Sequence, residues 1–357
     1  MTLFIHSWEV SDSKRNMDLN FSPFKVYHFT RYVLVGCLYL ICLSNAWATS
    51  LERKETEEEG HGWYIAVAAD EGGTHTRVRH RGMLRLSQPP GSEANLYGLS
   101  ALAWVASEGN LYAMSDSAQV FVFKPLFMQN ELTGLEFIRQ FSLKDGSGKP
   151  LRGSAADSEA LFWQAAKSQV AESLFVGFER QPRIERYDLR GNRLESLTMP
   201  KGFERIQAYA QKNKSIEALS SHPKFAYVAG TEWPMKQAQS YISLFTPLGA
   251  PWRYYLFAEP KCGLTALEHW HDDIFVSIER CFLNIAKPFT ILLRRVQLNI
   301  DDSNAAIQDL AVWRSNEVAL LDNFEGLAHH RDNFFFIISD DNRNPWQNTL
   351  LSYIEIQ

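Results

Sequence analysis

The chain has 357 residues, of which 45% are hydrophobic and 13% aromatic, so it can bury a large core. Charged residues make up 22% of the chain, which is ordinary for a globular protein, and the formal net charge is -5. The sequence contains no basic patch interleaved with aromatic residues, so we expect no nucleic acid partner.

The N-terminal segment has the features of an export signal. Lys25 and Arg31 precede an apolar stretch at residues 32–43, and residues 46–48 supply the small side chains of a cleavage site. We therefore predict a signal peptide over residues 1–48 and a periplasmic or secreted mature protein.

Two alternatives to a cleaved signal are open. Residues 34–37 have the order of a lipoprotein signal ending in Cys37. In such a signal the cysteine follows the apolar stretch, whereas here residues 38–43 continue that stretch beyond Cys37. A retained membrane helix is disfavoured because the stretch falls short of the ~20 residues that span a bilayer. The charged part is unusually long, so we expect translation to start at Met17 and no stable membrane anchor after cleavage.

A charged linker is predicted at residues 49–62. Its central run, residues 52–59, has no apolar side chain to bury and should be solvated. We expect residues 63–357 to form a single domain and the protein to be a monomer.

A pattern that recurs five times dominates this domain. A residue with a hydroxyl or carboxyl group opens a short apolar segment, and a second apolar run then closes on an acid. The opening residues, 59, 58, 48 and 60 positions apart, are Ser100, Glu159, Glu217, Thr265 and Glu325. The closing acids are Asp116, Glu179, Glu232, Glu279 and Asp340. This spacing is typical of the blades of a β-propeller.

The strands of these repeats are apolar nearly throughout, as at residues 174–178 and 334–338. Such runs suit sheets that are covered on both faces by neighbouring sheets, and no segment has a helical stripe. We predict an all-β propeller of six four-stranded blades, the last closed by strands from both ends of the chain, at residues 83–86 and 350–354. Joining the termini in one blade would remove an open sheet edge. A five-bladed ring is the alternative.

Two of the four cysteines lie within the predicted signal peptide. The others, Cys262 and Cys281, bracket the fourth repeat, and an out-and-back hairpin would return them to the same end. In an oxidising compartment they would form a disulfide; two separate buried thiols are the alternative.

The repeat pattern predicts a ring of carboxylates. If the first strand of each blade lines the channel, Glu159, Glu217 and Glu325 surround one mouth, and the closing acids return to it. Like charges so close raise one another's pKa values unless a cation or bases compensate them. Oxygen donors favour Ca²⁺, with Mg²⁺ or Mn²⁺ as second choices. The predicted metal ligands are Asp116, Glu179, Glu232, Glu279 and Asp340.

Arginines recur beside these acids, at Arg180, Arg280 and Arg343. They could neutralise the acid ring internally, or their guanidinium groups could bind an anionic group of a substrate. Both interpretations are open.

Histidines fall at the opposite end of the first strands, where the hairpins turn. We interpret them as turn residues on separate blades rather than a zinc site; they are His222, His269, His271, His329 and His330. The chain also lacks the Gly-x-Ser-x-Gly, phosphate-loop and His-Glu-x-x-His signatures, which disfavours serine hydrolases and nucleotide-binding enzymes.

The ordered motifs resemble the phytase-like family, described as "esterase-like activity of phytase". The resemblance runs over residues 97–355 and is carried by segments 98–102, 112–116, 157–161, 178–180, 263–267, 278–280, 324–328 and 339–342. It implies a secreted or periplasmic propeller whose repeated acids form the active region and hydrolyse phosphoesters or other esters. Ala160 and Ala218 stand where the family usually has glycine after the acid, which affects the backbone at the mouth.

The leading hypothesis is an exported, metal-dependent hydrolase of a small-molecule ester or phosphoester. In it Glu159, Glu217 and Glu325 are the catalytic residues, as metal ligands or general base, and Arg180, Arg280 and Arg343 bind the substrate anion. One alternative is a propeller lactonase with a neutral substrate. The other is a non-catalytic, calcium-stabilised ligand-binding propeller, because a propeller fold does not imply activity.

Overall fold

A computed structural model describes residues 62–357, apart from residues 70–72, 74–76, 94, 169, 239 and 285. The predicted signal peptide, the start at Met17, the alternative anchor at Cys37 and nearly all of the linker lie outside the described residues. Within the described part, no helix is long and apolar enough to cross a membrane. Its regular structure is 21 β-strands and two short 3₁₀ turns, Gly153–Ala155 and Ile206–Ala208. The all-β prediction is confirmed.

The strands follow the chain in blade order. The first two, which belong to the last blade, are β1 Tyr64–Val67 and β2 Val78–Leu86. Blade 1 contains β3 Leu99–Val105, β4 Asn110–Ser115, β5 Gln119–Met128 and β6 Glu131–Ser142. Blade 2 contains β7 Ser158–Gln164, β8 Ser173–Phe178, β9 Arg183–Tyr187 and β10 Arg193–Leu197. Blade 3 contains β11 Ile216–Ser220, β12 Val228–Thr231, β13 Ile242–Thr246 and β14 Gly249–Tyr254. Blade 4 contains β15 Cys262–His271, β16 Ile274–Cys281, β17 Thr290–Gln297 and β18 Ala306–Arg314, and blade 5 adds β19 Asn323–Arg331, β20 Phe334–Asp340 and β21 Thr349–Ile356.

These strands form a propeller of five blades, each an antiparallel sheet running outward from the channel. Blade 5 has the order β19-β20-β21-β2-β1, so an N-terminal strand supplies its fourth position and β1 extends its outer edge. Closure of the last blade by both chain ends is therefore confirmed. The prediction of six blades is wrong, because the last repeat has only three strands of its own and the terminal strands complete it rather than building another blade.

Hydrophobic side chains fill each of the five interfaces between neighbouring blades. Between blades 1 and 2, for example, Tyr112 and Val122 pack in one cluster with Leu161 and Val176. Corresponding clusters join the other four pairs of blades. Inner strands buried on both faces need apolar side chains at consecutive positions, which explains why the repeats lack a clean alternation of polar and apolar residues.

The fourth blade also carries a covalent link. Cys262 on β15 and Cys281 on β16 are directly paired across the ladder, and their sulfur atoms are bonded. The link closes the hairpin at the end of the blade where the repeat opens.

A long hairpin of blade 1, formed by β5 and β6, packs against the N-terminal strands of blade 5. Arg81 on β2 donates hydrogen bonds to Glu131 on β6 and to Glu355 on β21, at 3.1 Å and 2.6 Å. Next to it, Gly82 has a φ of +99°, and a β-carbon there would overlap the carbonyl oxygen of Leu132. Glycine thus allows the backbones of the closing strand and the hairpin to meet.

We predict that Gly82→Ala destabilises the protein by about 2–4 kcal/mol, because it adds both left-handed backbone strain and a backbone clash. Gly109→Ala is the matched control, since Gly109 also has a positive φ of +65° but open space around its β-carbon position. Urea unfolding of the two variants measures the difference. Equal losses of stability in both would contradict the proposed contact.

Candidate functional site

Each blade has a β-bulge at the same place on its innermost strand. The pairing register shifts by one residue between positions 99 and 101, 158 and 160, 216 and 218, 264 and 266, and 324 and 326. The residues left out of the ladder are the opening residues of the repeat, Ser100, Glu159, Glu217, Thr265 and Glu325. A bulge bends its strand and redirects a side chain, and bulges are common beside active sites.

These five residues line one cavity at the centre of the propeller. The cavity has a volume of about 10 Å³, measured as the space that the centre of a water molecule can occupy. A single water molecule needs roughly 10–15 Å³ on this scale. The channel at this level therefore has room for one water molecule or one ion, and an organic substrate would have to bind above it.

The closing acids stand around the same mouth in four of the five blades. In those blades the residue before the bulge pairs with the residue before the acid, as in the pair of Ser158 with Phe178. The acids positioned in this way are Asp116, Glu179, Glu232 and Asp340.

Blade 4 differs by one residue. There Leu264, the residue before the bulge, pairs with Glu279 itself, so Arg280 takes the position that acids hold elsewhere. Because successive side chains of a strand face opposite sides, this offset turns Glu279 away from the mouth. Glu279 is fully buried, and Arg294 and the hydroxyl group of Tyr254 each donate a hydrogen bond of 2.5 Å to it. The structure therefore does not bring Glu279, a predicted metal ligand, to the cluster.

Burial and mutual repulsion raise the pKa values of the carboxyl groups at the mouth. Burial raises the pKa of Glu159 well above its ordinary value, and the charges of Glu325 and Glu179 raise it further. Burial likewise raises the pKa of Glu217 and brings those of Glu179 and Asp340 to about 8. At neutral pH the cluster must hold protons or a cation.

Among the described residues, two groups of acids could hold a metal ion, and they share Glu179. One contains Asp157, Glu159 and Glu179, and the other contains Glu179, Glu217 and Glu232; in each, the carboxylate oxygens lie within 4.8 Å of one another. Glu179 is 4% exposed, and its buried Oε1 has no hydrogen-bond partner among the described residues. A buried carboxylate oxygen without a donor is costly, so this oxygen requires either a proton shared with the neighbouring Glu217 carboxyl group or a cation.

Basic residues neutralise part of the mouth, including Glu232 of the second acid group. Arg280 donates to Glu325 at 2.9 Å and to Asn323, and its guanidinium lies 3.6 Å from Glu232. Lys214 forms an ion pair with Glu232. For Arg280, internal compensation of the ring is thus the interpretation that the contacts support.

The other two predicted arginines keep part of their surface in solvent. The Arg180 side chain is 58% exposed and lies 3.2 Å from Asp157, and that of Arg343 is 48% exposed and lies 2.5 Å from Asp116. Both therefore hold an acid of the mouth while presenting the rest of the guanidinium group outward.

Sequence reasoning missed three residues of the mouth, namely Asp157, Lys214 and Asn323. Asp157 and Asn323 share one repeat position, two residues before the bulge, which was the available signal. Lys214 stands three residues before Glu217 in a loop, and no repeat marks it.

At the opposite end of the inner strands, the histidines lie beside the hairpin turns rather than in them. His269 and His271 are near the end of β15, His329 and His330 are near the end of β19, and His222 follows β11. The Nε2 groups of His269 and His329 contact the carbonyl oxygens of Asp272 and Asp332, at 2.9 Å and 3.0 Å, beside residues of positive φ. Among the described residues, the groups that could hold a metal contain no histidine.

A carboxyl group joins three inner strands at this far end. Glu268 on β15 accepts a hydrogen bond from the Ser220 hydroxyl on β11 at 3.3 Å and from the His329 backbone on β19 at 3.2 Å. Burial raises the pKa of Glu268 to about 8.

The fold and the mouth together define a class, a five-bladed β-propeller with a buried carboxylate cluster at one end of its channel. The chain matches the family model described as "Phytase-like: Esterase-like activity of phytase" over residues 94–343, and it belongs to that family. The resemblance drawn from the motifs is confirmed. No curated protein matches the chain.

Solved structures similar to the chain include U3-55K, with 9% identity, a TM-score of 0.42, and coverage of 82% of this chain and 99% of that one. The RRP9 WD40 repeats show 8% identity, a TM-score of 0.43, and coverage of 84% and 98%. The PQQ-bound aldose sugar dehydrogenase from Streptomyces coelicolor shows 10% identity, a TM-score of 0.40, and coverage of 81% and 100%. Similarities this distant carry no argument about this chain.

The raised pKa of Glu268 predicts a pH-dependent stability. A folded-state pKa of about 8 against an ordinary 4.5 means that the folded protein holds this proton more tightly than the unfolded chain. The stabilisation is full below pH 4.5 and is lost as the pH rises through 8. A glutamine side chain does not titrate and serves as the reference. Between pH 4.5 and 8.5 the free energy of unfolding of wild type should fall by about 2 kcal/mol relative to that of Glu268→Gln, which allows for partial screening by solvent.

Urea unfolding in chelator across this pH range measures the difference. The exposed Glu136→Gln variant is the control and should leave the wild-type pH slope unchanged. Parallel pH profiles for wild type and Glu268→Gln would show that Glu268 titrates normally.

Proposed function

We propose that this protein is an exported, metal-dependent hydrolase of esters or phosphoesters. The observation that carries the proposal is the buried carboxylate cluster around Glu179, which belongs to both acid groups and whose Oε1 has no hydrogen-bond donor among the described residues. Membership of the phytase-like family supports the reaction class, and the predicted signal peptide supports a periplasmic or secreted location.

The donor set fits a hard divalent cation. All its members are carboxylate oxygens, which suit Ca²⁺, and Mg²⁺ or Mn²⁺ less well. Asp157, Glu159 and Glu179 would hold one ion, and Glu217 would join Glu179 in holding the same ion or another. Glu232 lies within the second group but already has Lys214 and Arg280 as positive partners. When bound, the cation supplies positive charge that offsets the acids and stabilises the charge developing on the ester oxygen.

The third bulge glutamate has a different environment. Glu325 belongs to neither acid group, and Arg280 and Asn323 both donate to its Oε1, which orients the carboxylate and leaves Oε2 for another partner. Within the proposal Glu325 is the general base that takes a proton from the attacking water. Arg180 and Arg343 bind the anionic part of the substrate above the narrow channel.

One observation favours a second function. The cavity between the bulges admits only one water molecule or ion, so a cation at that level could stabilise the ring without touching a substrate. The second candidate is therefore a non-catalytic, calcium-stabilised ligand-binding propeller.

We predict that chelator-treated protein binds Ca²⁺ in a calorimetric titration and that Glu179→Gln weakens binding at least about tenfold, because it removes a charged ligand common to both groups. Glu195→Gln, an exposed acid on β10, should bind like wild type. Hydrolysis of a chromogenic phosphodiester and of a carboxylic ester is followed in the same samples. Binding without turnover would favour the second candidate, and absence of binding would contradict the metal site.

We also predict a role for the exposed arginines. The double variant Arg180→Gln/Arg343→Gln should raise KM for the phosphodiester about 10-fold to 100-fold, because two charge-assisted contacts are lost, while KM for a neutral ester stays constant. Arg190→Gln, an exposed arginine outside the mouth, should change neither value. An unchanged KM for the phosphodiester, with activity on neutral lactones, would support the lactonase alternative instead.

A further inference from the structure

A groove separate from the channel lies on blade 3. It runs between the loop before β11, the loop between β12 and β13, and strand β14, and has a volume of about 710 Å³. Ligand pockets for small molecules typically measure about 300–1,000 Å³. The groove and the central cavity share no lining residue among the described part of the chain.

The charge of the groove is opposite to that of the chain. Its lining includes Lys201, Arg205 and Arg253, and none of the described residues that line it is acidic, although the protein carries a net charge of -5. Just outside the lining, Glu204 is 3.4 Å from Arg205 and also accepts the backbone N–H of Gly202, so Arg205 is partly neutralised. The groove therefore presents its free positive charge through Lys201 and Arg253.

Neither of these two cations has an ion-pair partner within the part of the chain that the structure describes. The backbone of Arg253 is anchored, because its N–H donates to the Ser303 carbonyl at 2.8 Å and its own carbonyl accepts from Ala305 at 2.9 Å. Its guanidinium lies over the ring of Tyr241, 5.3 Å from the centroid. A cation fixed in position before binding lowers the entropic cost of ligand capture.

Neutral polar groups surround the cations. Gln207, Gln237 and Ser243 line the groove, and the described residues provide no hydrogen-bond partner for their side chains. Amide and hydroxyl groups of this kind recognise alcohol groups. We propose that the groove binds a saccharide that carries a phosphate or carboxylate group.

The test is calorimetric titration with glucose 6-phosphate and with glucuronate, and glucose is the neutral reference. All titrations contain chelator, so the result does not depend on the metal site or on hydrolysis. We expect at least one anionic sugar to bind, glucose to bind at least 10-fold more weakly, and affinity to fall as salt is added. Arg253→Gln and Lys201→Gln should each weaken binding about 10-fold.

Arg152→Gln, an exposed arginine on another blade, is the matched control and should bind like wild type. Circular dichroism confirms that each variant is folded. Wild-type affinity in both Arg253→Gln and Lys201→Gln, or no binding of either anionic sugar at millimolar concentration, would overturn the proposal. Equal affinity for inorganic phosphate and glucose 6-phosphate would overturn the assignment to a sugar.

Discussion

The structure depends on one steric constraint, the packing of five inner strands around a channel with room for a single water molecule or ion. Because every inner strand carries a bulge at the same level, three glutamates meet there with a serine and a threonine. The closing acids lie at the same end of the channel. The free-energy cost of burying each carboxylate therefore depends on the charge of all the other members of the ring. Arg280 offsets part of this charge because blade 4 places an arginine where the other blades place an acid.

The repeat in the sequence was sufficient to predict the propeller, because its spacing and its doubly covered strands have few other solutions. The acids at positions 116, 179, 232 and 340 followed from the same argument. Glu279 did not, since a one-residue offset between the sequence repeat and the ladder reverses the side a residue faces, and apolar runs without alternation hide the register. Lys214 could not be predicted either, because it reaches the mouth from a loop. The blade count was missed because terminal strands can complete a blade as easily as they can begin one.

The acidic mouth and the basic groove divide the recognition surface of the protein by charge. Carboxylates at the mouth repel an anionic ligand until they hold protons or a cation, whereas Lys201 and Arg253 attract one without any cofactor. Blade 3 contributes to both regions, because the loop that follows β12 begins at Glu232 and then borders the groove. Binding of an anion at the mouth therefore depends on bound protons or a cation, whereas binding in the groove does not.

The placement of β21 between β20 and β2 has a consequence for how the protein is made. The contact of Arg81 with Glu355 joins residues 274 positions apart, so β2 can pair with β21 only after nearly the whole chain has been synthesised. Contacts of such high sequence separation form late in folding. During synthesis the growing chain therefore carries exposed, unpaired strand edges, and any event that stops translation shortly before residue 349 yields an open ring in which every acid of the mouth is already present.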